Sequence, residues 1–210
     1  LFLSLMQMKA LKQVDTNRLY PVTTSLSLVA SVLVGLVLFR DIISWLQILG
    51  IIMLIAVVYL FSYKGKKIQY SKSIIIIGSG IVFLSVAGKI IHKLAADNVD
   101  IQAFQVWQYL SATIFSLMLY TFIHRKDFKQ HIFSKAALSG LLIAVPTFLG
   151  GYMWLIALTK GPFSLVTSIH SLYVIIAALV AYLIFKEKLT WKKLLLIVLA
   201  VVAMIIIKIG

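Results

Sequence analysis

One short phrase occurs twice in this chain, 146 positions apart, and each copy stands between two long apolar runs. Phe39-Arg40-Asp41 with Ser44-Trp45 reappears as Phe185-Lys186-Glu187 with Thr190-Trp191. Further residues match at the same offset: Leu19 and Leu165, Ser25 and Ser171, Leu33 and Leu179, Leu49 and Leu195, and Ile51 and Ile197. The chain is therefore predicted to contain two related copies of one folding unit.

The apolar content of the chain places these copies in a membrane. Of the 210 residues, 62% are hydrophobic, and the mean hydropathy is +1.06. A soluble domain of this length has too little interior to bury that much apolar surface, so the surface must face lipid or other helices. Charged residues make up 12% of the chain and cluster between the apolar runs. The sequence has no cysteine, which excludes disulfides, thiolate metal sites and thiol nucleophiles.

Seven apolar segments reach or approach the roughly 20 residues that a helix needs to cross the hydrocarbon core. They are Leu19–Phe39, Ser44–Tyr63, Ser73–Leu94, Ile101–Ile123, Lys135–Thr159, Phe163–Phe185 and Thr190–Lys208. Their apolar residues are continuous and lack the alternation of barrel strands, so each segment is predicted to be a helix. Leu1–Lys12 is too short to span alone. The predicted fold is an all-α, polytopic transmembrane helix bundle.

The register of the repeat predicts a protein longer than this chain. The second copy starts near Ser73 and holds five helices, so the same offset places the start of the first copy about 73 residues before Leu1. We expect an N-terminally truncated ten-helix protein, of which seven helices and an N-terminal stub are present. Residues 1–63 end the first copy, 64–72 form a basic loop, and 73–210 form the second copy. Because five is odd, the copies take opposite orientations, as an inverted five-plus-five repeat.

The positive charge of the chain lies in the short loops between the spans. The formal charge is +14, from 20 lysines and arginines against 6 acids. In a soluble protein this balance favours nucleic acid, but beside apolar spans it indicates contact with membrane lipid headgroups and no nucleic-acid partner. Fifteen cations fall on one predicted side and five on the other. The positive-inside rule puts the first side in the cytoplasm and the C-terminus outside.

Two stretches around the repeated phrase carry a resemblance to a known family. They are GPFSLVTSIHSLYVIIAALVAYLIFKEKLTW, residues 161–191, and LYPVTTSLSLVASVLVGLVLFRDIISWLQILGI, residues 19–51. With both at one offset, the chain resembles the EamA-type members of the drug/metabolite transporter superfamily over nearly its whole length. It departs from the family pattern at Val174, where a proline often follows the tyrosine. It departs again at Leu196, where the first copy keeps Gly50.

The resemblance implies a membrane carrier or exporter that works by alternating access and hydrolyses no ATP of its own. The expected substrate is a small metabolite or an amphipathic, drug-like compound that crosses the cytoplasmic membrane. Proton coupling and a homodimer are left open. The alternative function is a non-transporting scaffold or accessory subunit, or a component of a lipid-linked-sugar flippase. The resemblance also implies that both termini are cytoplasmic, which conflicts with the distribution of cations and leaves the orientation open.

Amide and phenol side chains share one face of the fourth predicted span, where Gln102, Gln105, Gln108 and Tyr109 recur three or four residues apart. Unpaired amides are costly within a membrane. These residues therefore predict either a hydrogen-bonding wall of a central cavity or bonds between helices, and both interpretations stay open. Tyr152, on the next span, is a further candidate for the cavity.

Three of the basic side chains inside spans are candidates for function. Lys89 is predicted either to meet an anionic group of a substrate or to reach solvent at the helix end. His92 fits a helix interface or a proton relay. His170 shares a face with Tyr173, and the repeat sets that face against the one that contains Thr24, near the midplane where such folds bind substrate. Its imidazole is predicted to bind substrate or carry a proton, with a bond to a backbone carbonyl as the alternative.

The remaining candidates are structural. Asp41 and Glu187 close spans beside cations, which favours a role in the loops. Gly140, Pro146 and Gly151 lie along the fifth span, where small residues allow close packing and a proline allows a hinge. The sequence shows no paired carboxylates within spans, no phosphate-binding loop and no metal-ligand spacing among its 4 histidines. It therefore predicts no catalytic residue, no metal and no cofactor, and a protein that is not an enzyme.

Overall fold

The computed structural model describes residues 16–62, 72–123, 135–173, 175–176 and 190–210, and the regular structure in these residues is entirely helical. The helices are α1 (Thr16–Val37), α2 (Trp45–Ser62), α3 (Lys72–Asn98), α4 (Ile101–Ile123), α5 (Lys135–Lys160), α6 (Phe163–His170) and α7 (Trp191–Ile209). Six of the seven predicted spans agree with these bounds to within four residues. The predicted stub Leu1–Lys12 lies outside the described residues.

Two segments of the described part are long and apolar enough to cross a membrane, Ile75–Asn98 in α3 and Leu142–Lys160 in α5. Thr23–Val37 and Trp45–Leu60 are shorter apolar segments of α1 and α2. At a rise of about 1.5 Å per residue, the 24 residues of Ile75–Asn98 extend about 36 Å. That length exceeds the roughly 30 Å of the hydrocarbon core.

The sixth predicted span, Phe163–Phe185, is interrupted by a short turn and is described only in part. α6 ends at His170, a turn follows at residues 171–172, and residues 173, 175 and 176 are again helical. The Leu172 N–H bonds to the Ile169 carbonyl at 3.1 Å, three residues back, so the helix tightens at this turn. Residues 177–189 lie outside the described part of the chain.

Local side-chain bonds fix where two of the helices begin. At the start of α2, the Gln47 N–H donates to Ser44 Oγ at 3.2 Å, and the Ser44 N–H donates to Gln47 Oε1 at 3.0 Å. This reciprocal pair is a capping box. At the start of α4, Asp100 Oδ1 accepts a 2.7 Å bond from the Ala103 N–H. Asp100 thus caps α4, and both caps satisfy N–H groups that a helix leaves free.

The joint between α1 and α2 turns through a left-handed residue. Arg40 has a φ of 53°, a conformation that costs energy in any residue with a Cβ. The next residue, Asp41, returns its N–H to the Gly35 carbonyl at 3.0 Å. The turn folds back on the end of α1 and fixes the position of the Asp41 backbone.

The chain divides into two compact units. One consists of the described parts of residues 2–90 and 161–210, which hold α1, α2, most of α3, α6 and α7. The other is Ile91–Lys160, with the end of α3, α4 and α5. The first unit therefore combines helices from both copies of the repeat. The predicted division of the sequence at the basic loop 64–72 stays a prediction, since residues 63–71 lie outside the described part.

In the first unit, α2 and α7 pack along each other in opposite directions. Gln47, at the start of α2, donates from Nε2 to the Ile207 carbonyl at 3.4 Å, near the end of α7. At the other end, Leu60 and Trp191 line one groove. A Cβ built at Gly50 would lie 3.0 Å from the Ala203 carbonyl, so only a glycine allows this approach. The buried cluster around the contact is Ile51, Leu54, Val57, Leu172, Ile175, Leu196, Ala200, Ala203 and Ile207.

In the second unit, α4 and α5 also run in opposite directions. Gln102 bonds to Tyr152 OH at 3.4 Å, while Tyr109, two turns further along α4, reaches the Thr147 carbonyl at 3.1 Å. The end of α3 is fastened to α5 by Lys93, whose Nζ donates to the Leu158 carbonyl at 2.7 Å. This unit is held by polar bonds between helices as well as by packing.

Candidate functional site

Asp41 caps a helix that lies 123 positions further along the chain. Its Oδ2 accepts a 2.6 Å bond from the Ser164 N–H and a 2.7 Å bond from Ser164 Oγ, at the start of α6. The residue before α6, Pro162, makes no side-chain cap bond. A carboxylate at a helix N-terminus is favoured by the free N–H groups and by the helix dipole. Asp41 thus has a structural contact, between helices, in the described part of the first unit.

Gly35 makes room for this contact. A Cβ added at Gly35 would collide with Ser164 Oγ and lie 2.5 Å from Asp41 Oδ2. The start of α6 therefore sits against the backbone of α1 at this point. Glu187, the predicted counterpart of Asp41, lies outside the described residues.

Hydroxyl groups of α1 meet a polar face of α3 in the same unit. Ser27 Oγ lies 3.0 Å from Ser85 Oγ, and Lys89 Nζ donates to Ser31 Oγ at 3.1 Å. Ser31 in turn donates to the Ser27 carbonyl at 2.6 Å and is fully buried. The structure therefore brings the predicted α1 face, which includes Thr24, to α3 through Ser27 and Ser31. The two hydrogen-bonded pairs join four residues, which we call the Lys89 seam: Ser27, Ser31, Ser85 and Lys89.

Two of the predicted cavity residues on α4 bond to the backbone of α5. Gln105 Nε2 donates to the Phe148 carbonyl at 2.5 Å, and Tyr109 OH donates to the Thr147 carbonyl. Gln105 is only 1% exposed, and its Oε1 is buried without a hydrogen-bond partner. Because Nε2 must face the Phe148 carbonyl, Oε1 is fixed as a buried acceptor that no described group satisfies. Such an atom is costly unless water or a solute supplies a donor.

Gly151 sets the distance between these side chains and α5. A Cβ at this residue would lie 3.1 Å from Tyr109 OH and 3.2 Å from Gln105 Nε2. The same construction at Gly140 meets no described atom within 4 Å, so the close approach predicted for this stripe occurs at Gly151. Pro146 lies inside α5 and has no N–H, which leaves the carbonyl four residues earlier without its helical bond. Thr147 Oγ1 donates to the Ile143 carbonyl at 2.7 Å beside this gap.

His92 joins the three helices of the second unit. Trp154 Nε1 donates to His92 Nδ1 at 3.3 Å, and the Gln108 amide lies 2.8 Å from His92 Nε2. The ring of Phe104 stands edge-on to the imidazole at a centroid distance of 6.0 Å. His92, Gln108 and Trp154 therefore form one polar cluster between α3, α4 and α5.

The donors and acceptors of this cluster fix its protonation pattern. An indole N–H can only donate, so His92 Nδ1 must be the acceptor of the Trp154 bond. A neutral imidazole then carries its hydrogen on Nε2, where the structure places Gln108 Nε2. The two must be reconciled by turning the Gln108 amide so that its oxygen accepts from His92 Nε2, an exchange of N and O that the shape of an amide permits. A second ring hydrogen would point Nδ1–H at the indole N–H, so the cluster with the amide turned accommodates the neutral imidazole.

The remaining predicted residues are placed more simply. His170 is exposed at the end of α6, and its ring lies 5.8 Å from that of Tyr173, which is also exposed. Thr24 and Tyr152 are half-buried. The described residues contain no group of three or more histidines or acids that could hold a metal ion.

Sequence reasoning missed the partners of several residues it had singled out. Ser164 is the clearest case, because nothing in its local sequence distinguishes it as the target of a carboxylate 123 positions away. Trp154 is a second case, because nothing in its own span shows that its N–H reaches His92. Lys89 was considered without a partner on another span, and only the fold shows that it meets Ser31 of α1.

The family model of the EamA-like transporter family matches residues 72–209 of this chain. The match covers about two thirds of the sequence, from the start of α3 to the end of α7. Among curated proteins, none matches the chain.

Proposed function

This chain belongs to the EamA-like transporter family of integral membrane proteins, and we propose that it is a secondary carrier that works by alternating access. In this proposal it moves a small metabolite or an amphipathic compound across the cytoplasmic membrane without ATP hydrolysis. Two halves of an inverted repeat rock around a site between them.

The observation that carries this proposal is the direction of the repeat-equivalent helices. Trp45 and Trp191 are equivalent by sequence, and they begin α2 and α7. The start of α2 lies beside the end of α7, where Gln47 bonds to the Ile207 carbonyl. Equivalent helices that run in opposite directions are what an inverted repeat requires, so this pair supports the predicted architecture.

The packing between α2 and α7 has the same pseudo-symmetry. Leu54 and Ala200 are repeat equivalents, as are Val57 and Ala203, and all four are buried in one cluster. A pseudo-two-fold axis between the copies would exchange Leu54 with Ala200 and Val57 with Ala203. Both members of each pair then lie at the same interface. The Asp41–Ser164 contact adds a further point, since it brings the end of α1 to the start of its equivalent, α6.

Single-cysteine labelling tests the architecture directly, because the chain has no cysteine of its own. Arg40→Cys and Lys208→Cys are expected to react from the same side of the membrane, since Gly210 lies beside Ser44. Lys192→Cys, at the other end of α7, is expected to react from the opposite side. Labelling of Arg40→Cys and Lys192→Cys from one side would contradict the inverted repeat. The cysteine-free protein is the control.

Solute flux tests the transport function. The full-length protein is reconstituted in liposomes, and uptake of a library of small solutes is compared with that of empty liposomes. Gln105→Leu removes both the buried acceptor and the bond to Phe148, so folding is expected to survive while flux of the transported solute falls at least tenfold. Leu142→Ile, at an exposed position of α5, is the matched control. Flux equal to that of empty liposomes for every solute would overturn the carrier.

A scaffold without transport is the second candidate. It is favoured by the hydrogen bonds that Gln105 and Tyr109 donate to backbone carbonyls of α5. In a scaffold these bonds only join helices. Gln105→Leu would then change stability, and neither the variant nor the parent protein would show solute flux. The same liposome measurements separate the two functions.

A further inference from the structure

Lys89 is a cation deep within a spanning helix. It lies 14 residues after Ile75 and 9 before Asn98, which places it about 21 Å and about 14 Å from the two ends of the segment. Charged side chains at such depth are expensive, and they face the protein interior or a cavity where they have a partner. Lys89 is therefore expected to have a partner, which must be identified from its surroundings.

The described residues of this unit offer Lys89 no negative charge. Its Nζ donates to Ser31 Oγ, a neutral hydroxyl whose own hydrogen goes to the Ser27 carbonyl. Asp41 is the one carboxylate among the described residues of the unit, and its Oδ2 takes both hydrogen bonds from Ser164. Among the described residues of the unit, Lys89 thus has no counter-charge, and two of its three N–H donors have no acceptor.

Lys93, one turn later on α3, is a lysine whose charge has a partner within the protein. Its Nζ pairs with Asp97 Oδ1 at 3.0 Å and also donates to the Leu158 carbonyl at 2.7 Å. Charge and donors are both satisfied within the protein. Among the described residues of its unit, Lys89 has no such carboxylate, and this contrast motivates the search for an anionic partner.

The Lys89 seam contains further hydrogen-bond donors beside the lysine. Ser85 stands one turn before Lys89 on α3, and its Oγ lies 3.0 Å from Ser27 Oγ. One hydroxyl hydrogen makes the bond between the two serines, whichever of them donates, so one O–H remains free. In the described part of the chain, this face offers ammonium and hydroxyl donors and no anionic acceptor.

We propose that Lys89 and the Ser27–Ser85 hydroxyl pair bind the carboxylate of the transported solute, which is therefore a monocarboxylate. This inference rests on the proposed transport function and names its substrate class. A carboxylate offers two oxygens to these donors in a charge-assisted arrangement. One lysine neutralises one negative charge, so a dianionic phosphate would leave a charge uncompensated in the membrane, and a neutral solute would leave the cation unpaired.

The test uses thermal unfolding of the full-length protein in detergent with matched pairs of solutes. The pairs are phenylacetate with phenylacetamide and cyclohexanecarboxylate with cyclohexanecarboxamide, and phenyl phosphate and sodium chloride are run beside them. Carboxylates are expected to raise Tm saturably, and the amides are not. Lys89→Met is expected to weaken the response about 10- to 100-fold, the loss of one charge-assisted bond. Lys89→Arg keeps part of the response, and Lys93→Met keeps all of it.

Four results would overturn the assignment: no saturable response to any carboxylate, equal responses to acid and amide, a response to phenyl phosphate alone, or a full response in folded Lys89→Met. Flux in liposomes separates this failure from that of the proposed function. Transport that is indifferent to the carboxylate and to Lys89 refutes the substrate class and leaves the carrier. Carboxylate binding that depends on Lys89, in a protein without any flux, refutes the carrier and leaves the site.

Discussion

Asp41 and Ser164 are joined by two hydrogen bonds to a single carboxylate oxygen, one from the Ser164 N–H at 2.6 Å and one from its Oγ at 2.7 Å. The contact is long-range in sequence and local in effect, because it completes the first turn of α6. It also explains why the repeated phrase ends in an acid at residue 41. The carboxylate ties the first copy of the repeat to the second within one compact unit.

We expect Asp41→Ala to lower the free energy of unfolding by about 2 kcal/mol, the combined effect of a lost cap and a lost charge-assisted bond. Ser164→Ala keeps the N–H and should cost less. Denaturation in mixed micelles of both single variants and the double variant gives their coupling energy, expected to be about 1 kcal/mol. Additive effects would show that the two side chains do not act on each other.

At Arg40 we expect the opposite effect, because removal of this side chain should stabilise the protein. Its φ of 53° is unfavourable for any residue with a Cβ, and the side chain is exposed. Arg40→Gly should raise the free energy of unfolding by about 0.5–1 kcal/mol, after the entropy that glycine loses on folding. Arg40→Ala is the matched control, since alanine keeps the Cβ and should bring no gain. A gain of equal size in both variants would assign the effect to the lost charge.

The helices of this fold follow from the sequence, since long apolar runs and their caps are local signals. Ser44 and Gln47 begin α2 by a motif four residues long, and Asp100 begins α4 with a single cap bond. The turn at residues 171–172 was not predicted, because apolar residues continue through it and only the hydrogen-bond spacing changes.

The contacts between helices were less predictable. Helical spacing put Gln105 and Tyr109 on one face, and it left open whether that face met a cavity or another helix. The choice depends on which helix lies opposite, and the backbone carbonyls of Thr147 and Phe148 have no signature in the sequence. The role of Asp41 was assigned to a loop for the same reason, because its partner lies 123 positions away.

Gly50 should tolerate no side chain. A Cβ there would lie 2.6 Å from Ile207 Cγ1 and 3.0 Å from the Ala203 carbonyl, so α2 and α7 must separate. We expect Gly50→Ala to cost about 1–3 kcal/mol, as overpacking does. Gly88→Ala is the control, because a Cβ on that helical glycine meets nothing within 4 Å and should stabilise by about 0.5–1 kcal/mol. Equal effects in the two variants would refute the close packing at Gly50.

Gly150 and Gly151 are neighbours with different surroundings, which makes them a matched pair. A Cβ at Gly151 would press on Tyr109 OH and Gln105 Nε2, whereas one at Gly150 meets nothing within 4 Å. Gly151→Ala should displace both side chains, cost about 1 kcal/mol of stability and reduce flux in liposomes. Gly150→Ala should gain about 0.5–1 kcal/mol and leave flux unchanged. Unchanged flux in Gly151→Ala would argue against a role of this contact in transport.

Trp154 should stabilise the second unit through its N–H as well as through its ring. The indole donates to His92 Nδ1, so Trp154→Phe keeps most of the apolar contact and leaves a ring nitrogen of His92 without its donor. A loss of about 1 kcal/mol in the free energy of unfolding is expected, the usual net effect of one hydrogen bond. Trp107 is the control, since it is 69% exposed, and Trp107→Phe should change stability by less than about 0.5 kcal/mol. If the two variants lose the same amount, the N–H of Trp154 contributes nothing, and His92 must be held by Gln108 and the surrounding rings.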